Sequence, residues 1–241
     1  MSPPLLEIRD LVKDYQALRP LRVRELAVAP GAVLTLAGFD APAAEAFVHL
    51  VTGAALPDQG DITLFGTNTR GIADANAWLR ALDRLGLVSH RAVLIDALSV
   101  LQNVAMPLTL DVDPIDPAFR PAAEALAREA GIAESAWEQP LGRATAEVNL
   151  RVRLARAVAP EPALVIAEHP SAALPRDAVD RVAGDVARVA AARGAALVTL
   201  TADPAWASAV GGQVLMLQPG SGELAPETGF MERFKRLWGG R

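Results

Sequence analysis

The chain has 241 residues, 51% of them hydrophobic, a formal net charge of −5 and no cysteine. This length suits one or two domains with a full-sized core, and the acidic balance excludes a nucleic-acid binder held mainly by neutralising phosphates. The lack of cysteine excludes disulfides and thiolate metal sites and fits the cytoplasm, no apolar run reaches the roughly 18 to 20 residues of a membrane span, and the opening MSPPLLEIRD is not expected to act as a signal peptide.

Leu5 to Val12 and Leu21 to Val28 read as short strands forming an antiparallel edge, and Val33 to Ala37 reads as a buried strand. The stretch that follows, GFDAPAAEAFVHLVTG from Gly38 to Gly53, leads into a helix start at Ala46 to Val51. Strand, turn and helix are the context of a phosphate-binding loop, which wants Gly, four residues, Gly, Lys and then Ser or Thr. Gly38 and Asp40 lie in the turn, but the second Gly position is Ala43, the Lys position Ala44 and the hydroxyl position Glu45. The cradle is present in outline with its charge reversed. A turn at Pro57 to Gly60 precedes a strand at Asp61 to Phe65, a helix is expected over Ala73 to Arg84, and a strand over Leu85 to Val88. The run DVDPIDPAFRP reads as loop, Pro121 to Ala130 as a helix stopped by Gly131, and Arg143 to Val158 as another helix. Ala163 to Ala167 is a buried strand, Pro175 to Arg193 a helix with its apolar stripe at Val179, Val182, Val186 and Val189, and Ala195 to Thr201 a further strand. Gln213 to Leu217 is the last strand expected, before a turn at Pro219 to Gly222.

Several segments in that order, LPDQGDITLFG (56–66), LGLVSH (85–90), LSVLQNVAMPL (98–108), RVRLARAVA (151–159) and AEHPSAALP (167–175), resemble the ATP-binding subunits of ABC transporters. The resemblance covers nearly the whole chain. It implies an α/β fold of the P-loop NTPase type, a mostly parallel sheet flanked by helices with antiparallel N-terminal strands. It also implies a cassette-like core at 1–95 and 160–228, a helical lobe at 96–159 and a basic amphipathic tail at 229–241. By position, Tyr15 is the aromatic that would stack on adenine, and His90 stands for the glutamine that senses metal and water. Ala144, Thr145, Ala146, Glu147 and Val148 stand for the signature sequence, where Thr145 keeps a hydroxyl and Glu147 would set a carboxylate against a phosphate held by the opposite subunit. Glu168 replaces the magnesium-holding Asp and His169 the Glu that polarises water. A register one residue off would instead keep Glu168 as the catalytic Glu. Ala202 replaces the switch His.

Phosphoryl transfer depends on positioning and charge stabilisation, and these substitutions remove most of the groups that supply them. The reading is a non-catalytic subunit that expects no cofactor and binds ATP and magnesium poorly if at all. It would dock on a membrane-embedded transporter subunit through His90, Asn103, Met106 and Pro107, peripheral on the inner face of the cell membrane. It would pair with a second ATP-binding subunit or with itself. Two rivals stay open: a divergent ATPase subunit of a heterodimer, and a stand-alone module in which Glu45, His90, Glu168 and His169 hold a metal. The tail FMERFKRLW, Phe230 to Trp238, suits an anionic membrane surface or a partner groove, or else packs on its own domain.

Overall fold

The computed structural model describes residues 3–226, so the tail reading lies outside the described residues. Two strands open the chain, β1 (Leu6–Lys13) and β2 (Leu21–Val28), followed by β3 (Val33–Ala37) and α1 (Ala41–Val51). After α1 come β4 (Gln59–Leu64), β5 (Thr67–Asn68), α2 (Ala75–Leu82) and β6 (Leu85–Val88). Three helices follow, α3 (Val100–Ala105), α4 (Arg120–Glu129) and α5 (Ala146–Val158), of which α5 packs on β6. The chain returns through β7 (Leu164–Glu168), α6 (Val179–Ala192), β8 (Ala196–Thr201), α7 (Pro204–Val210), β9 (Gln213–Leu217) and β10 (Leu224–Pro226).

These strands form a four-stranded sheet, β2-β1-β4-β5, and a six-stranded sheet, β10-β9-β3-β8-β7-β6. The first is antiparallel. The second is parallel from β9 through β6, with β10 antiparallel at its edge. The α/β class with a mostly parallel sheet and antiparallel N-terminal strands is therefore the fold of the chain.

A parallel sheet covered on both faces needs strands that are apolar at every position. Alternation then decides which side each residue serves. Along β7, Leu164 and Ile166 join Leu34, Leu36, Val198, Phe47 and the first sheet in one core. Val165 and Ala167 join Leu197, Leu154, Val182, Val186 and Trp206 in the other, under α5, α6 and α7. The six-stranded sheet is thus the central layer. No helix among the described residues is long and apolar enough to cross a membrane.

Element boundaries depart from the sequence reading where caps decide them. Helix α1 starts at Ala41 rather than Ala46, because Asp40 caps it and proline occupies its first turn. No continuous helix runs from Arg143: a short 3-10 turn at Leu141–Arg143 gives way to an extended Thr145, whose hydroxyl accepts from Val148 N–H and starts α5. The stretch from Pro175 likewise opens as a 3-10 turn, Arg176–Ala178, before α6. The valine stripe of α6 is buried at all four positions. Strand β9 is not the last, since the Pro219 to Gly222 turn folds β10 back onto it.

Phe47 is fully buried and meets Phe39 edge-on with ring centroids 5.5 Å apart, which anchors α1 on the sheet. Phe47→Ala is expected to lower stability by about 3–5 kcal/mol in urea or guanidinium unfolding, the usual cost of deleting a buried aromatic ring.

Candidate functional site

The C-terminal ends of β3 and β7 and the loop after β6 meet at the head of α1. Gly38 leaves β3 with φ +87°, and a Cβ there would crowd Met216 Sδ at 3.0 Å and Leu217 O at 3.2 Å. Asp40 then stands in extended conformation at the N-cap of α1. One of its carboxylate oxygens accepts from Ala43 N–H at 2.8 Å, and its backbone carbonyl accepts from Ala44 N–H at 2.9 Å. A helix N-terminus offers free amides and a positive dipole end to an anion. Here the anion is the chain's own Asp40. Ala43 and Ala44 are buried, and only Glu45 of the three substituted loop positions points toward solvent.

Tyr15 does lie beside this loop. It lines a cavity of ≈ 270 Å³ with Arg19, Arg22, Gly38, Asp40 and Ala43. Burial, and secondarily the Asp40 charge, push its phenol above the ordinary value.

A charge cluster at this site centres on Arg91, the neighbour of the expected His90. Its Nη1 lies 2.8 Å from Glu45 and 3.2 Å from His49 Nε2, and its Nη2 lies 2.7 Å from Glu168. The Ser89 hydroxyl donates to the same Glu168 oxygen at 2.8 Å and accepts from Arg91 N–H at 3.1 Å. Glu168 ends β7 with its side chain 1% exposed. A cation just past the end of β6 was visible in the sequence, but its reach to α1 and β7 is purely tertiary.

The metal set read from the sequence does not assemble. A guanidinium stands between Glu45 and Glu168, and His90 is exposed on the loop, where its carbonyl accepts from Arg153 at 3.4 Å. Among the described residues no group of three or more acidic, histidine or cysteine side chains is placed to hold a metal ion. His169, at φ +42°, follows Glu168, and its N–H donates to Leu200 O. Its Nε2 is buried without a hydrogen-bond partner among the described residues. Ala202 is exposed, between Thr201 and the α7 cap Asp203.

Two further expectations change. Glu147 is not free to face a phosphate. Both its oxygens accept from Arg181 at 2.6 and 2.9 Å, and Arg151 Nε adds a bond at 3.0 Å. Arg151, itself 4% exposed, also donates to Asp185 at 2.6 Å and to Ala130 O at 2.7 Å, so α5 is tied to α6 and to the end of α4. Asn103 is fully buried and cannot touch a partner: its Oδ1 accepts from Ile95 N–H, and its Nδ2 donates to the carbonyls of Ile95 and Ser99. It holds the loop instead. Met106 is half-buried and Pro107 exposed, and large apolar side chains are exposed nearby in the chain at Leu110, 91%, and in the preceding loop at Val93, 75%, and Ile95, 38%.

A relative from Bordetella avium, the lipoprotein-releasing system ATP-binding protein LolD, is 30% identical over 201 residues that cover 83% of this chain and 85% of its own. The chain belongs to the ATP-binding subunits of ABC transporters. The LolD protein of Hyphomonas neptunium is 28% identical, with 83% of this chain and 89% of its own covered. The methionine import ATP-binding protein MetN of Brucella abortus is 24% identical over 91% of this chain and 58% of its own. Among solved structures, the ATP-binding cassette MJ0796, in a dimeric post-hydrolysis state bound to ADP and Pi, superposes with a TM-score of 0.72. That match covers 92% of this chain and 98% of the other at 19% identity, which supports the cassette fold. No protein-family model matches the chain.

The Glu147 cluster makes a pH-dependent contribution within this ABC-type frame. Arg181, with Arg151 behind it, holds the Glu147 carboxyl at about 2, against the opposing effect of its partial burial. A folded-state value below the unfolded one stabilises the fold above the unfolded value and is lost as pH falls toward the folded one. Glu147→Gln is therefore expected to be less stable than the natural chain at neutral pH, with the gap in unfolding midpoint closing between 4.5 and about 2.

Proposed function

We propose that this chain is a nucleotide-independent member of the ABC ATP-binding subunits, a structural or regulatory docking part of a membrane transport complex. It lies against the inner face of the membrane through a membrane-embedded partner and pairs with a second cassette chain. The observation that carries this reading is Asp40. Its carboxylate accepts the α1 amide that a phosphate oxygen would take.

The neighbouring groups point the same way. Ala44, at the lysine position, brings no cation, and Glu45 and Glu168 share the single guanidinium of Arg91. A metal triphosphate does not fit these residues: its phosphates would meet the carboxylates of Asp40 and Glu45 with no lysine at Ala44, and Glu168, at the metal-holding position, is already paired with Arg91. Relatives named for lipoprotein release and for methionine import support the transport context.

One observation favours a second reading, a chain that completes a nucleotide site held mainly by its partner. Glu147 is turned inward onto Arg181 and Arg151, so the start of α5 does not present its carboxylate. Under that reading the cassette pair hydrolyses ATP only when the partner chain is present.

Equilibrium titration with labelled ATP, with and without magnesium, tests the leading reading. The natural chain is expected to show no saturable binding up to about 1 mM, an affinity weaker than about −4 kcal/mol. A variant carrying Asp40→Gly, Ala44→Lys and Glu45→Ser is expected to gain magnesium-dependent binding. Micromolar, magnesium-dependent binding by the natural chain would overturn the reading.

A further inference from the structure

Three parts of the chain that are distant in sequence meet at one guanidinium. Glu45 belongs to α1, Glu168 ends β7, and Arg91 lies in the loop that follows β6. Each terminal nitrogen of Arg91 serves a different carboxylate, at 2.8 Å for Glu45 and 2.7 Å for Glu168. A planar guanidinium suits this because its donors diverge in a fixed fork, whereas an ammonium is a single point charge.

Glu168 is the member with no alternative. Its side chain is 1% exposed, and Arg91 is its sole ion-pair partner among the described residues. A carboxylate buried that deeply must be paired or hydrogen-bonded, and a cation is its strongest partner. Ser89 extends the connection to the backbone, since its hydroxyl donates to Glu168 and accepts from Arg91 N–H.

The loop beyond Arg91 is fastened from the other side. Arg153 and Arg156 of α5 donate to the carbonyls of His90 and Val93, at 3.4 and 2.8 Å. Asn103 of α3 brackets Ile95 through both its N–H and its carbonyl. Between these ties the loop presents Val93 and Ile95 to solvent.

We infer that Arg91 is a tethered cation that joins the head of α1 and the end of β7 to the loop 89–95, making internally the connection that a bound cationic ligand would make, and so fixing the loop in one conformation. This positioning role rests on the proposed nucleotide-independent function and gives it a structural means: the loop's shape is set by the chain itself. The single guanidinium bonds both carboxylates, and its one charge offsets one of their two.

Hydrogen exchange tests it on the full chain without nucleotide, so its outcome is separate from that of the ATP titration. In Arg91→Ala, amide hydrogen exchange over 89–95 is expected to accelerate by at least about tenfold while the far sheet, β1 and β2, is unchanged, because only a local opening is made easier. Millimolar methylguanidinium, which can pair with the carboxylates but is not joined to the loop, is expected to leave exchange over 89–95 fast in Arg91→Ala. If Arg91→Ala does not fold, Arg91→Lys carries the test, because one ammonium cannot hold both carboxylates in the same fork, and faster exchange over 89–95 is expected there too. Unchanged exchange over 89–95 in the folded variant, or slow exchange restored there by untethered methylguanidinium, would overturn the inference.

Discussion

Glu168 ends β7, one strand in from the β6 edge of the six-stranded sheet, with a carboxylate that water does not reach, and the arrangement around it follows from that constraint. Breaking a buried pair by deleting one partner costs about 3–5 kcal/mol, because the remaining charge is left uncompensated. The half-exposed arm to Glu45 is worth at most about 1 kcal/mol, as exposed pairs generally are. Arg91 is therefore held by Glu168 first, and Glu45 selects which way the other half of the fork turns. With Arg91 placed, Ser89 and the start of the loop are placed too.

The electrostatics of the head of α1 have the same sense. Asp40 satisfies the helix amide and lies at the positive end of its dipole, which stabilises the fold without any external anion. A phosphate-binding loop works in the opposite way, leaving those amides bare and adding a lysine. Local stability and ligand binding compete for the same donors, and in this chain one of them, the Ala43 N–H, is bonded to Asp40. The Glu147, Arg151, Arg181 and Asp185 cluster resolves a second carboxylate in the same manner, by internal pairing that also ties α5 to α6. The family's scaffold is thus kept together with charge arrangements that close on themselves.

Much of the fold was legible because its signals are local. Continuous apolar runs such as Leu164 to Ala167 mark strands buried on both faces, and the spacing of Val179, Val182, Val186 and Val189 marks the buried side of a helix. The start of α5 was not legible, since an apolar pattern without Gly or Pro gives no reason to stop at Thr145 until its hydroxyl is seen capping the helix. The site was legible at the level of which positions lie near one another, and not at the level of which side chains pair. Asn103 reads as a partner contact because it lies on the segment that resembles the family's docking stretch, yet its amide is spent on the loop backbone. Arg91 escaped notice because its role depends on a carboxylate 77 residues away.

The most direct measurement is a crystal structure of the natural chain soaked with magnesium and a non-hydrolysable ATP analogue. The expected density shows Asp40 still capping α1 and Arg91 still bridging Glu45 and Glu168, with no triphosphate at the helix head. A triphosphate seated on the α1 amides, with Asp40 turned out and Arg91 moved onto phosphate oxygens, would contradict the account.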